Sequence, residues 1–228
     1  MQSSSSPSAA IVDYGVGNLF SVMHGLRKVG IPATITSSKD DILAADMVVV
    51  PGVGAFGDAM ASLHQLDLVE PLREVAASEQ LLVGICLGMQ LFMTESDEFG
   101  THRGLDIFPG SVVPFTPSLD ADSRLKVPHV GWTRNYASGD RSTNWTGSPL
   151  EGLTQGEYLY FVHSYYAVPE DPGLATSTAT YGDTEFCSSM WRGRVFGCQF
   201  HPERSGSQGL QIYQNLASMG ARTGMGES

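Results

Sequence analysis

The sequence predicts an α/β fold: a central, mostly parallel sheet flanked by helices, with antiparallel strands added in the second half. Three observations carry this. Apolar strand-like runs alternate with helical periodicity through the first half, as in a parallel sheet covered by helices on both faces. The second half is rich in strand-like runs and ends on one helical run. Glycine-bearing loops directly follow several first-half strands. In open α/β sheets, ligands bind beyond the carboxyl ends of the strands.

Ala10-Ile11-Val12-Asp13 reads as a short first strand. Over 18–29, Leu19, Val22, Met23, Leu26 and Val29 recur at helical spacing, and Gly30 ends the run. Residues 32–36 read as a second strand. Met47-Val48-Val49-Val50 reads as a third, stopped by Pro51-Gly52-Val53-Gly54. A helical stretch follows, then an apolar strand over 81–85, and Met89-Gln90-Leu91-Phe92-Met93 reads as the start of a helix. Segments 111–115, 127–133, 158–166, 176–181, 186–191 and 195–200 read as strands. Residues 207–218 read as the last helix, with Leu210, Tyr213, Leu216 and Ala217 on its apolar face. There is no internal repeat and no linker, so 10–218 is expected to be one domain. The serine-rich 1–9 reads as a disordered tail and 219–228 as a frayed C-terminus.

Composition excludes several classes. The 228 residues, 42% hydrophobic and 16% charged, suffice for a large globular core. A net charge of −11 argues against nucleic acid or an anionic membrane as the main partner. No apolar run reaches membrane-spanning length, and the N-terminus lacks a secretory pattern. Cys86, Cys187 and Cys198 are too few and too scattered for a disulfide framework or a metal site, which fits a cytoplasmic protein. Gly15-Val16-Gly17-Asn18 lacks the third glycine of a dinucleotide loop. No metal and no cofactor are expected.

The chemistry concentrates at Gly84-Ile85-Cys86-Leu87-Gly88. A nucleophile on a tight strand-to-helix turn needs small neighbours, which the flanking glycines supply. The start of a helix also favours a thiolate. His201 ends the strand-like 195–200, and Glu203 lies two residues on, across Pro202. In extended backbone such residues share a side, so Glu203 can hold one imidazole nitrogen while the other serves Cys86. His129 and His163 are weaker candidates for the base, and His24, His64 and His102 weaker still. Acyl transfer also needs N–H donors for a developing oxyanion. The loop of Gly52, Val53 and Gly54 can supply one donor and the N–H of Leu87 another. Gly52 can rotate its peptide cheaply, so this donor can be switched.

These residues resemble the class I (triad) glutamine amidotransferases, which carry a Gly-x-Cys-x-Gly elbow and a late His-Pro-Glu; the resemblance spans about 10–218. Five segments narrow it to the branch formed by the glutaminase subunits of imidazole glycerol phosphate synthases. They are Ile11-Val12-Asp13-Tyr14-Gly15-Val16-Gly17-Asn18-Leu19, Pro51-Gly52-Val53-Gly54-Ala55-Phe56, Pro128-His129-Val130-Gly131-Trp132, Tyr160-Phe161-Val162-His163-Ser164-Tyr165-Tyr166 and Gln199-Phe200-His201-Pro202-Glu203. The resemblance implies glutamine hydrolysis by Cys86, His201 and Glu203, with Gly52, Val53 and Leu87 around the oxyanion. It implies that Gly54, Gln90, Ser164 and Tyr165 hold glutamine. It further implies a heterodimer with a (β/α)8-barrel cyclase that receives the ammonia in histidine biosynthesis. Arg204 departs from the lysine that pattern has after the glutamate, which bears on a partner contact. Two other readings stand at this point: a glutaminase serving a pyridoxal-phosphate or anthranilate synthase, and a non-enzymatic regulatory protein on the same fold.

Overall fold

The computed structural model describes residues 7–116, 126–139 and 145–220. Its first half is a doubly wound α/β unit. Strands β1 (Ala9–Val12), β2 (Ala33–Thr36), β3 (Met47–Gly52) and β4 (Leu81–Cys86) alternate with helices α1 (Leu19–Lys28), α2 (Lys39–Ala44), α3 (Phe56–Gln65) and α4 (Val69–Ala77). A one-turn helix α5 (Leu87–Leu91) follows β4 directly. Next come β5 (Met93–Ser96), β6 (His102–Arg103), β7 (Phe108–Pro114), β8 (His129–Ala137), β9 (Glu157–His163), β10 (Tyr165–Pro169), β11 (Ala175–Tyr181), β12 (Thr184–Arg192), β13 (Val195–Cys198) and α6 (Gly206–Gly220).

The main sheet has nine strands in the order β2-β1-β3-β4-β13-β12-β11-β8-β9. The five from β2 to β13 run parallel, and the rest are antiparallel. Alternation along β3 divides the core. Met47 and Val49 face α1 and α6 through Val22, Leu26, Ile212 and Leu216. Val48 and Val50 face the other helices through Ile42, Phe56, Leu63 and Leu72. Apart from β2 at the sheet edge, whose ATIT sequence is partly exposed, the parallel strands are therefore buried on both sides and read as continuous apolar runs.

Several boundaries differ from the sequence reading, for local reasons. The expected single strand over 158–166 breaks at Ser164. His163 pairs with His129 in the main sheet, whereas Tyr165 pairs with Pro114 in a second, four-stranded sheet of order β10-β7-β5-β6. The expected helix over 89–93 stops at Leu91, because the carbonyl of Phe92 is taken by the N–H groups of Ile107 and Phe108 and Met93 enters β5. The helical stretch after β3 is two helices, and α2 and β6 carry too few apolar positions to be read from sequence. Strand β1 begins at Ala9, inside the expected tail, and α6 runs on through Met219 and Gly220, inside the expected frayed end. The remaining tail positions lie outside the described residues, apart from Pro7 and Ser8. Ser8 is tied to the Asp46 carboxylate through its N–H and its hydroxyl, each at 2.9 Å. No helix among the described residues is long and apolar enough to cross a membrane.

Candidate active site

The parallel register assembles the site. Gly52, at the end of β3, lies opposite Cys86, at the end of β4. On the other side, Ile85 lies opposite Cys198, the last residue of β13, so Gln199 and His201 follow beside the cysteine. This is the carboxyl edge of the sheet, where the sequence places the site.

Cys86 is held in the left-handed region, at φ 56° and ψ −110°. Such a conformation is strained for a residue with a Cβ and is characteristic of functional turns. The flanking glycines make the turn possible. A Cβ on Gly88 would lie 1.7 Å from the Val50 carbonyl oxygen, and one on Gly84 would lie 2.8 Å from the Gly88 carbonyl. Gly88→Ala should therefore destabilise the fold by about 3 kcal/mol or more, read as a lower midpoint in urea. An unchanged midpoint would show that the elbow tolerates a side chain.

Cys86 is 5% exposed. Its sulfur donates to the Val162 carbonyl at 3.7 Å and accepts from Gln199 Nε2 at 3.5 Å. His201 Nδ1 meets Glu203 Oε1 at 2.7 Å. The His-Pro-Glu segment is a 3₁₀ turn, Pro202–Arg204, not the extended backbone expected, and it still brings the carboxylate onto the ring. The turn is clamped to β9. The His201 N–H donates to the Tyr160 carbonyl at 2.9 Å, and the Ser205 hydroxyl donates to the His201 carbonyl at 2.7 Å. His201 Nε2 is buried and meets no hydrogen-bond partner within 3.5 Å. Burial alone would lower the His201 pKa; the Cys86 sulfur and the Glu203 carboxylate outweigh it and raise it from 6.5 to about 10.

A cavity of about 230 Å³ opens over the sulfur. Val53, Gly54, Leu87, Gln90, Ser164 and Tyr165 all line it with Cys86. Gly52, His201 and Glu203 are not among the lining residues. A Cβ on Gly52 would fall 2.4 Å from the Tyr14 hydroxyl and 2.9 Å from Leu87 Cβ. Glycine at 52 thus serves close packing, and the positive φ in this loop belongs to Gly54, at 108°. The Gln90 amide nitrogen is already engaged, donating to the Tyr165 carbonyl at 2.8 Å and to Gln199 Oε1 at 2.9 Å.

The competing histidines are accounted for. His163 lines the cavity, but its Nδ1 lies 2.9 Å from the Tyr165 carbonyl and its Nε2 lies 3.0 Å from His129 Nδ1. A carbonyl only accepts, so His163 Nδ1 carries the proton. His129 Nδ1 then donates to His163 Nε2, and His129 Nε2 accepts from the Thr133 hydroxyl at 2.8 Å. Burial pushes His163 down to about 3 and His129 down to about 4. This neutral chain has no lone pair left for the thiol. His24, His64 and His102 do not line the cavity. Cys187 and Cys198 are buried; burial pushes Cys187 up to about 12 and Cys198 well above the usual thiol range.

Three residues of the site escaped the sequence reading. Glu98 is the sole carboxylate among the cavity-lining residues; it also accepts the Phe56 N–H at 2.5 Å. Tyr14 is buried and donates to the Pro51 carbonyl at 2.6 Å, bracing the loop that follows. Burial raises its pKa, so it stays a donor. Gln199 touches the sulfur. None follows from local spacing, because each arrives from a distant part of the chain. Among the described residues no group of three or more His, Cys, Asp or Glu side chains is placed to hold a metal ion.

The model of the family "Glutamine amidotransferase class-I" matches residues 10–217. The chain is 47% identical to "Imidazole glycerol phosphate synthase subunit HisH" of Syntrophotalea carbinolica over 92% of this chain and 98% of that protein. It is 43% identical to the protein of the same name from Geobacter sulfurreducens, with the same coverage. Among solved structures, PurLQS from Thermotoga maritima matches with a TM-score of 0.67 at 19% identity, over 93% of this chain and 98% of that chain. The glutaminase domain of CTPS from Trypanosoma brucei matches with a TM-score of 0.66 at 14% identity, over 94% of each chain. By sequence across nearly its whole length, and with the fold those structures share, the chain belongs to the class I glutamine amidotransferase family.

Proposed function

We propose that this chain is the glutaminase subunit of an imidazole glycerol phosphate synthase, hydrolysing glutamine to glutamate and ammonia for a cyclase partner. The observation that carries the chemistry is the cavity over Cys86, with the His201–Glu203 pair beside the sulfur. The relatives named HisH, at 40–47% identity, support the choice of synthase over the pyridoxal-phosphate and anthranilate systems.

In this reading glutamine lies among Gly54, Gln90, Ser164 and Tyr165, with Glu98 facing its ammonium group. His201 holds the thiol proton as an imidazolium, and sulfur attacks the side-chain amide carbon. The oxyanion receives the N–H groups of Val53 and Leu87. His201 returns the proton to the leaving nitrogen, which departs as ammonia and leaves a thioester. Water then gives His201 a proton and attacks the acyl carbon; glutamate leaves and sulfur is reprotonated.

A partner surface adjoins the site. Val130, Trp132, Arg134 and Tyr136 lie along one exposed face of β8, with Trp132 51% and Val130 57% exposed. Trp132 pairs with Tyr160 of β9, and the Arg204 guanidinium lies over the Tyr160 ring at 4.2 Å. This aromatic and basic face, next to His201, is where a (β/α)8-barrel cyclase would dock to form the heterodimer. Arginine in place of lysine at 204 suits stacking on tyrosine.

The test measures glutamine hydrolysis by the free chain, with cyclase, and with cyclase plus its substrate. Stimulation across the series supports a donor in the 51–54 loop that the partner completes. Gly52→Ala pushes a methyl group into Tyr14 and Leu87, so stimulated hydrolysis should fall by about a hundredfold while ammonia-driven synthesis is kept. Equal rates in all three conditions would remove the switch, and no hydrolysis in any of them would remove the proposed function.

A further inference from the structure

Gln199 follows the last residue of β13, and its N–H continues the pairing with β12 by donating to the Ser188 carbonyl at 2.9 Å. Its side chain is fully buried. The hydrogen bonds around it fix which way the amide points. Gln90 meets the Tyr165 carbonyl at 2.8 Å, and a carbonyl only accepts, so the Gln90 atom there is its NH₂ nitrogen. That same nitrogen meets the Gln199 side chain at 2.9 Å, so the Gln199 atom facing it is the oxygen. The Gln199 NH₂ group is thereby turned to the Cys86 sulfur, 3.5 Å away.

We propose that Gln199 is a further catalytic residue, an N–H donor that favours the anionic sulfur of Cys86 and ties the nucleophile to Gln90 in the cavity wall. The proposal rests on Cys86 being the nucleophile of the glutaminase reading. A hydrogen bond to a charged acceptor is stronger than one to a neutral acceptor, so this donor gains strength when the thiol loses its proton to His201. It gains strength again when the tetrahedral intermediate of thioester hydrolysis expels the sulfur as an anion. The second N–H bond of the network, from Gln90 to Gln199 Oε1, keeps the amide from turning its oxygen towards the sulfur. Misplacement of Gln90 would then be felt at the nucleophile.

The test is alkylation of the free chain by iodoacetamide, with each cysteine peptide followed separately by mass spectrometry. Two variants are compared with wild type. Gln199→Glu keeps the size of the side chain and an oxygen for Gln90 but replaces the donor facing sulfur. Gln199→Met removes the donor without adding charge. Both should alkylate Cys86 about tenfold more slowly at pH 7, the scale of one hydrogen bond to a charged group. The deficit should shrink in alkaline buffer, where hydroxide removes the thiol proton whether or not the donor is present. Cys187 and Cys198, deep in the core, should stay slow throughout and so report that each variant is folded. A wild-type rate for Gln199→Met at pH 7, or a deficit that persists unchanged at the alkaline pH, would overturn the proposal. Glutamine hydrolysis by the wild type with cyclase is measured in parallel. Its absence would defeat the glutaminase reading and leave the alkylation result to judge the N–H···S contact by itself.

Discussion

Cys86→Ala should abolish glutamine-dependent synthesis by the assembled enzyme and leave ammonia-dependent synthesis at the wild-type rate. The split follows from the position of the sulfur. It is the sole thiol lining the cavity, and Cys187 and Cys198 are buried with their pKa values pushed up by burial, so no other cysteine can take over. Loss of a nucleophile that acts with a histidine as a unit costs about ten-thousand-fold or more. Ammonia supplied from solution bypasses that step altogether. Alanine keeps the backbone of the elbow, because the strained φ of 56° tolerates a methyl group as well as it tolerates cysteine. It does remove the acceptor of the buried Gln199 amide, so a stability loss of about 1–3 kcal/mol is expected. The experiment reads glutamate release and product formation side by side with each nitrogen source. Glutamate release at the wild-type rate from Cys86→Ala would mean that the nucleophile lies elsewhere.

The elbow was legible because its chemistry is local, whereas the His201–Glu203 contact was expected through extended backbone and is made by a 3₁₀ turn. Glycine two positions either side of a cysteine is a steric requirement that the sequence states directly, and Gly88 against the Val50 carbonyl is its physical content. The parallel half was legible because strands buried on both faces read as unbroken apolar runs, such as Met47 to Val50. The four-stranded sheet was not. Its strands β5 and β6 have four and two residues and carry Thr94, Glu95, His102 and Arg103, so neither shows a hydrophobic period. The break between β9 and β10 was hidden because aromatic residues continue through it, and only pairing with different partners separates His163 from Tyr165. Glu98, Tyr14 and Gln199 became visible for the same reason: each is defined by what it meets across the fold. Glu98 reaches Phe56, Tyr14 reaches Pro51, and Gln199 reaches Cys86 and Gln90. At Gly52 the neighbours add a second reason for glycine, because Tyr14 and Leu87 leave no room for a side chain.

His201→Asn should lose about ten-thousand-fold or more of glutamine hydrolysis, Glu203→Gln less, and His163→Asn least. Asparagine at 201 cannot carry a proton from sulfur to the leaving nitrogen. Glutamine at 203 still offers an oxygen to the ring but no negative charge. His163 makes its hydrogen bonds to Tyr165 and His129 and has no free nitrogen for Cys86. The two histidines should also separate by the pH dependence of stability, with opposite signs. The His201 pKa is raised in the fold, from 6.5 to about 10. Its stabilising contribution is therefore complete below pH 6.5 and is lost as pH rises through about 10. The His163 pKa is lowered by burial to about 3. The unfolded chain then takes up the proton first, and stability is lost as pH falls from 6.5 towards 3. In urea unfolding, His201→Asn should flatten the alkaline side of the stability curve and His163→Asn the acid side. A larger hydrolysis defect in His163→Asn than in His201→Asn, or a wild-type alkaline slope in His201→Asn, would make His163 the base and reduce the His201–Glu203 pair to a buried structural contact.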